Sequence, residues 1–187
     1  MKLWFFFLFA SILCLKTSLI LALDCQVNLI EGYGQIKRGP KVFFLPISGK
    51  SVTLKPEDML HTNVQGKVHF SCNRFQGELA HSGFMMLKKT SMGTSLGLSQ
   101  GEVRLQIKKA LWIQTLEAVV HANKARIRIK TLDHQTILEV LQGEASIANL
   151  AFPGQILWVK ARQQSRVHGL GQPSKPIFQN HIPVLKP

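Results

Sequence analysis

The stretches Val103-Arg104-Leu105-Gln106-Ile107-Lys108 and Ala125-Arg126-Ile127-Arg128-Ile129-Lys130 decide the reading of this chain. In both, apolar and polar residues alternate with period two. Successive side chains of a strand point to opposite faces, so this alternation marks a strand with one buried and one solvated side. Working outward, Val68-His69-Phe70-Ser71-Cys72, Ile137-Leu138-Glu139-Val140-Leu141 and Gln155-Ile156-Leu157-Trp158-Val159-Lys160 read as further strands, the second more fully buried. Turn signals separate them at Gly39-Pro40, Ser48-Gly49, Gln65-Gly66, Gln100-Gly101, Gln142-Gly143 and Pro153-Gly154. Residues 111–125 do not keep a 3.6-residue period, and Val119-Val120 favours a strand. A brief helical turn is expected at Lys55-Pro56-Glu57-Asp58, because proline suits the first position of a helix. Short strands at spacings of roughly 8–12 residues predict an all-β sandwich, barrel or solenoid.

The N-terminus has a different character. Lys2 precedes an apolar run from Leu3 to Leu15, the pattern of a secretory signal. The run resumes after Lys16 and reaches Leu23, so a retained anchor is the alternative to cleavage after Ala22. An anchor would carry Lys16 inside the span, at a cost of up to about 3 kcal/mol near its centre. Residues 1–22 are thus expected to be an apolar signal helix. Residues 23–168 would form one all-β domain, and residues 169–187 a Pro/Gly-rich tail, mobile or laid loosely along it. The expected location is periplasmic or otherwise exported, anchored to the inner membrane if the signal is kept.

Lys and Arg number 23 against 10 Asp and Glu; without Lys2 and Lys16 the balance is 21 against 10, a net charge of +11. Such an excess suits an anionic partner, or simply a solvated surface. Beyond Cys14 in the signal, Cys25 and Cys72 remain, an even pair in an oxidising compartment. A bridge between them is expected. Lipid attachment at Cys25 is disfavoured because Asp24 stands where a small residue is needed.

No catalytic constellation is evident, and the chain is read as a non-enzyme with no cofactor. Acidic residues are few and scattered, and neither a Gly-x-Ser-x-Gly elbow nor a His-Glu-x-x-His helix occurs. His69 and Cys72 are three positions apart, so a strand would point them to opposite faces, away from a shared metal ion. The candidate binding residues are instead basic. Arg104, Lys108 and Lys109 lie along or beyond one alternating strand, and Lys124, Arg126, Arg128 and Lys130 lead into and line the other. If the strands stack, these charges form a patch that an anion or acidic surface would neutralise. Trp112 and Trp158 flank apolar residues and are expected in the core.

The order of elements resembles the FecR-type periplasmic domain over about Val27 to Val167. The residues that carry the resemblance are Asp58-Met59-Leu60-His61-Thr62, Gly101-Glu102-Val103-Arg104-Leu105, Thr115 with Ala118-Val119-Val120, and the stretch from Thr136 to Ile147. The resemblance implies stacked short strands of β-solenoid or jelly-roll-like character, and a role in protein or polysaccharide interaction and signal sensing. The family's Gly-Thr-x-Phe stretch is absent, since Ala122-Asn123-Lys124-Ala125 stands there. With an apolar segment at the very start, no cytoplasmic segment to hold a sigma factor is expected. Implied partners are an envelope protein or an anionic glycan or lipid. The alternative reading is a carrier of an anionic amphiphile such as lipopolysaccharide. Nucleic acid is not expected, and membrane contact is expected only through a retained signal.

Overall fold

The computed structural model describes residues 25–47, 49–90 and 93–179; the expected signal helix, Cys14 and the last eight residues of the tail lie outside them. The described residues hold seventeen strands and no helix. Numbered in chain order, they divide into two sheets.

The front sheet runs β4 (Val52–Leu54), β1 (Cys25–Glu31), β6 (Lys67–Cys72), β7 (Phe75–Leu79), the second half of β9 (Gly93–Ile107), β12 (Arg126–Leu132), β13 (Gln135–Gln142), β16 (Gln163–His168) and β17 (Ile177–Phe178). The back sheet runs β3 (Lys41–Phe44), β2 (Gly34–Arg38), β5 (Met59–Thr62), β8 (Phe84–Thr90), the first half of β9, β10 (Leu111–Gln114), β11 (Ala118–Ala122), β14 (Glu144–Asn149) and β15 (Leu157–Lys160). Neighbours pair antiparallel except β9 with β10, which run parallel. The chain passes repeatedly between the sheets, stacking its hairpins along one axis. The architecture is an open, all-β stack of short strands.

Alternation explains the core. Val68, Phe70 and Cys72 on β6, Val103, Leu105 and Ile107 on β9, and Ile127 and Ile129 on β12 point inward from the front sheet. Leu60, Met85, Leu87, Leu96, Leu98, Leu111, Ile113, Val120 and Ile147 meet them from the back sheet in one apolar cluster. Burying each such side chain contributes about 1.5–3 kcal/mol. Cys25 and Cys72 face each other in register on β1 and β6, with Cα atoms 4.2 Å apart, and are joined by a disulfide.

Two residues of the Asp58–Thr62 stretch hold the back sheet in place. The Asp58 carboxylate is buried and accepts from Arg38 Nε at 2.8 Å and from the Lys55 N–H at 2.8 Å. The Thr62 hydroxyl donates to the Ala80 carbonyl at 2.6 Å and accepts from the Gly83 N–H at 2.9 Å.

Four expectations are corrected. Gln100-Gly101 is not a turn between strands: β9 runs through it for 15 residues and crosses from the back sheet to the front. Gly101 makes this possible with φ +95°, and a Cβ there would lie 2.6 Å from the Gly83 Cα. Lys55–Asp58 is a hydrogen-bonded turn rather than a helical one, with Pro56 second and Glu57 third at φ +69°, the pattern of a type II turn. Gln155 and Ile156 precede β15 instead of belonging to it, because the Gln155 N–H closes a turn on the Phe152 carbonyl. Trp112 and Trp158 are not core: they occupy outward positions of the back sheet and are 39% and 55% exposed. Toward the other end of the chain, residues 170–179 lie back along β16. The Ser174 N–H donates to the Arg166 carbonyl and the Gln179 N–H to that of Arg162.

Candidate functional site

The outer face of the front sheet is polar throughout its middle strands, because each inward apolar residue leaves an outward neighbour in water. Register brings four of the expected basic residues together there. Arg128 on β12 stands opposite Arg104 on β9, Arg126 opposite Gln106, and Lys130 opposite Glu102. Like charges directly across a pair of strands repel, and here Arg104 and Arg128 each have a carboxylate of their own. Arg104 Nε lies 3.0 Å from Glu102 Oε1, and Arg128 is ion-paired with the buried Glu139 of β13. Lys67 and Glu78 form a third pair at 3.0 Å. Arg126 and Lys130 have no ion pair among the described residues.

The other three basic residues gather at one end of the same sheet. The N–H groups of Lys108 and Lys109 donate to the Arg74 carbonyl, at 2.8 and 3.2 Å. Lys124 sits in the β11–β12 turn at φ +49°, next to Ala125, whose backbone bonds Ile107 in both directions. The ends of β7, β9 and β12 therefore converge, and with them Arg74, Lys108, Lys109, Lys124 and Arg126. None of the five has an ion pair among the described residues. Arg74 was not legible as part of the site, because it lies in a two-residue hairpin turn with no periodicity to place it.

Between the rows of side chains lies an open groove of about 640 Å³ lined by His69, Glu78, Arg104, Arg126, Arg128 and Glu139, among others. A smaller depression of about 230 Å³ adjoins it, lined by Glu102, Lys130 and Gln164 and sharing Arg128 and Glu139. Gln179 reaches the rim, where its side-chain amide donates to Gln164 Oε1 at 2.7 Å. His69 faces this outer side while Cys72 faces inward in its disulfide. Among the described residues, no group of three or more His, Cys, Asp or Glu converges as a metal site requires.

A second polar cluster lies inside. Thr115 and Thr136 hydroxyls stand 2.6 Å apart, Thr136 donates to Glu117 Oε2 at 3.2 Å, and Thr115 Oγ accepts from the Ala118 N–H at 2.9 Å. The cluster closes the β10–β11 turn and ties it to β13, so its role is structural. The pKa of the buried Asp58 carboxylate is shifted. Burial would raise its pKa, but the hydrogen bonds and charges of Arg38 and Lys55 outweigh burial and hold it below the usual value. The same pair raises the Arg38 guanidinium.

Comparison with known proteins supports the architecture. No family model matches the chain, and no curated protein matches it. Among solved structures, two crystal structures of a candidate anti-sigma factor from Parabacteroides distasonis superpose with a TM-score of 0.54, at 12% and 11% identity. Each superposition covers 65% of this chain and 59% of the other, so the likeness spans less than two thirds of that protein. At such identity the likeness concerns the fold.

Proposed function

We propose that this chain is a non-catalytic, FecR-like interaction module of the cell envelope, acting in signal reception or regulation. It engages an acidic partner through the basic end of its front sheet. One observation carries the reading: Arg74, Lys108, Lys109, Lys124 and Arg126 converge with no ion pair among the described residues, whereas Arg104 and Arg128 beside them are matched by Glu102 and Glu139. Concentrated charge of one sign steers an oppositely charged partner and sets its orientation. The fold shared with a candidate anti-sigma factor supports a regulatory role.

The test is cross-linking of the tagged full-length protein in intact cells, followed by envelope capture and mass spectrometry. The quadruple variant Lys108→Glu, Lys109→Glu, Lys124→Glu, Arg126→Glu serves as control. Recovery of an envelope protein by the wild type and its loss in the variant is the expected result. Recovery of lipopolysaccharide in its place would move the assignment to a carrier of anionic amphiphiles. Equal capture by both forms would remove the basic end from the function.

A further inference from the structure

The outward positions of the back sheet form a surface of another kind. One row crosses five strands in register: Ser95 on β9, Trp112 on β10, His121 on β11, Ser146 on β14 and Trp158 on β15. The Trp112 and His121 rings stack with centroids 4.4 Å apart. Strands are spaced about 4.8 Å apart, so the two indoles stand roughly 14 Å from each other along a straight line. Ser95 and Ser146 are 9% and 8% exposed, and neither hydroxyl has a hydrogen-bond partner among the described residues. Both open outward beside an indole, where a ligand could satisfy them. The adjoining row, Gly97, Gln114, Val119 and Ala148, has no charged residue of its own, and Gly97 leaves a depression beside Gln114 that the Lys88 side chain borders. Charge begins only at the margins, with Lys88 beyond Ser95 and Glu144 opposite Lys160.

We propose that this row is a binding site for a linear, uncharged polysaccharide. The indoles offer flat apolar faces on which the C–H side of a sugar ring can rest, and Ser95, Ser146 and Gln114 offer hydrogen bonds to its hydroxyls. The alternation favours a glycan over a protein. Protein hot spots cluster apolar side chains into a desolvated centre, whereas here Ser146 separates Trp158 from the Trp112–His121 pair. The lack of cations in the row distinguishes it from the basic end, whose Lys108, Lys109 and Lys124 lie in the connections between the two sheets.

The experiment titrates the full-length protein with short linear oligomers of glucose, of mannose and of N-acetylglucosamine, reading tryptophan emission and heat. At least one series is expected to give saturable binding. Affinity should fall about tenfold in Trp112→Ala and in Trp158→Ala, and less in Trp112→Phe, which keeps a ring. Both indoles are exposed, so circular dichroism should report an unchanged fold. The basic-end quadruple variant should bind the sugar as the wild type does. Absence of saturable binding to all three series, or undiminished affinity in both alanine variants, would overturn the proposal. So would an envelope protein whose capture depends on Trp112 and Trp158 and is not displaced by oligosaccharide.

Discussion

Across the middle of the front sheet, one outward row reads His69, Glu78, Arg104, Arg128, Glu139; across the back sheet, another reads Ser95, Trp112, His121, Ser146, Trp158. Both rows belong to strands whose inward residues are mostly of one apolar kind, valine, leucine, isoleucine, alanine and phenylalanine. The inward positions are fixed by burial, and any sequence adopting this stack must satisfy them. The outward positions are free of that demand, so their divergence into charge on one face and aromatic rings on the other carries the information about partners. A molecule whose only task was to stay dissolved would have no need to expose two indoles on one face and gather five unmatched cations at the end of the other.

The contrast presumes one shared core beneath two independent faces, and the disulfide offers the largest perturbation of that core. Cys25 and Cys72 close a loop with a sequence separation of 47. Replacing both by serine should cost about 4 kcal/mol on the chain-entropy account, measured by urea unfolding. The tryptophans of the back sheet should report the same transition midpoint as the backbone signal, although the lost bridge lies in the front sheet. Two separate transitions would mean that the sheets unfold independently and that the shared-core premise is wrong.

Asp58→Asn comes next, because it acts where the back sheet meets the end of β4. The substitution removes a charged acceptor from Arg38 and the Lys55 N–H, and should cost about 2–3 kcal/mol. The pair also predicts a pH dependence. The folded pKa of Asp58 is depressed, so its contribution is complete above the unfolded value near 3.9 and is lost as pH falls through the lower folded value. Acidification below about pH 4 should therefore cost the wild type more stability than it costs the variant. Equal acid sensitivity in the two would mean that Arg38 does not hold the carboxylate in solution. Thr136→Val follows at about 1 kcal/mol, since it leaves Glu117 Oε2 without its donor and removes one of the bonds of Thr115; thermal unfolding would detect it.

The all-β class and the strand alternation were legible because period two is written directly into segments such as Arg126–Lys130. The disulfide partners were legible because only two cysteines remain outside the N-terminal segment. The pairing of β9 with β12, which sets Arg104 against Arg128, was foreseen only as a condition, since register depends on contacts between residues far apart in the chain. Gln100-Gly101 misled because glycine marks a turn and a sheet-crossing bend equally well; the close approach of Gly83 distinguishes them and is a tertiary fact. The tryptophans misled for a related reason. Leu111-Trp112-Ile113 is apolar at every position, so alternation could not show that Trp112 points outward. Arg74 carried no signal, because its place in the site comes from the carbonyl it offers to Lys108 and Lys109.

The smallest expected effect on stability tests the contrast most directly. The quadruple charge reversal at Lys108, Lys109, Lys124 and Arg126 touches only exposed side chains without ion pairs, so unfolding stability should stay within about 0.5 kcal/mol of the wild type. Partner capture by the wild type should weaken steeply as salt rises from low ionic strength, because exposed charges are screened over about 10 Å at 0.1 M. Loss of the indoles should leave that salt dependence unchanged. Combining Trp112→Ala with the charge reversal should then give effects on stability that add to within about 0.5 kcal/mol, as for sites without shared partners. A coupling of more than about 1 kcal/mol would mean that the faces communicate through the core. The outward rows would then have to be treated as a single binding apparatus, because a ligand on the back sheet would alter the affinity of the front sheet for its partner by the same factor.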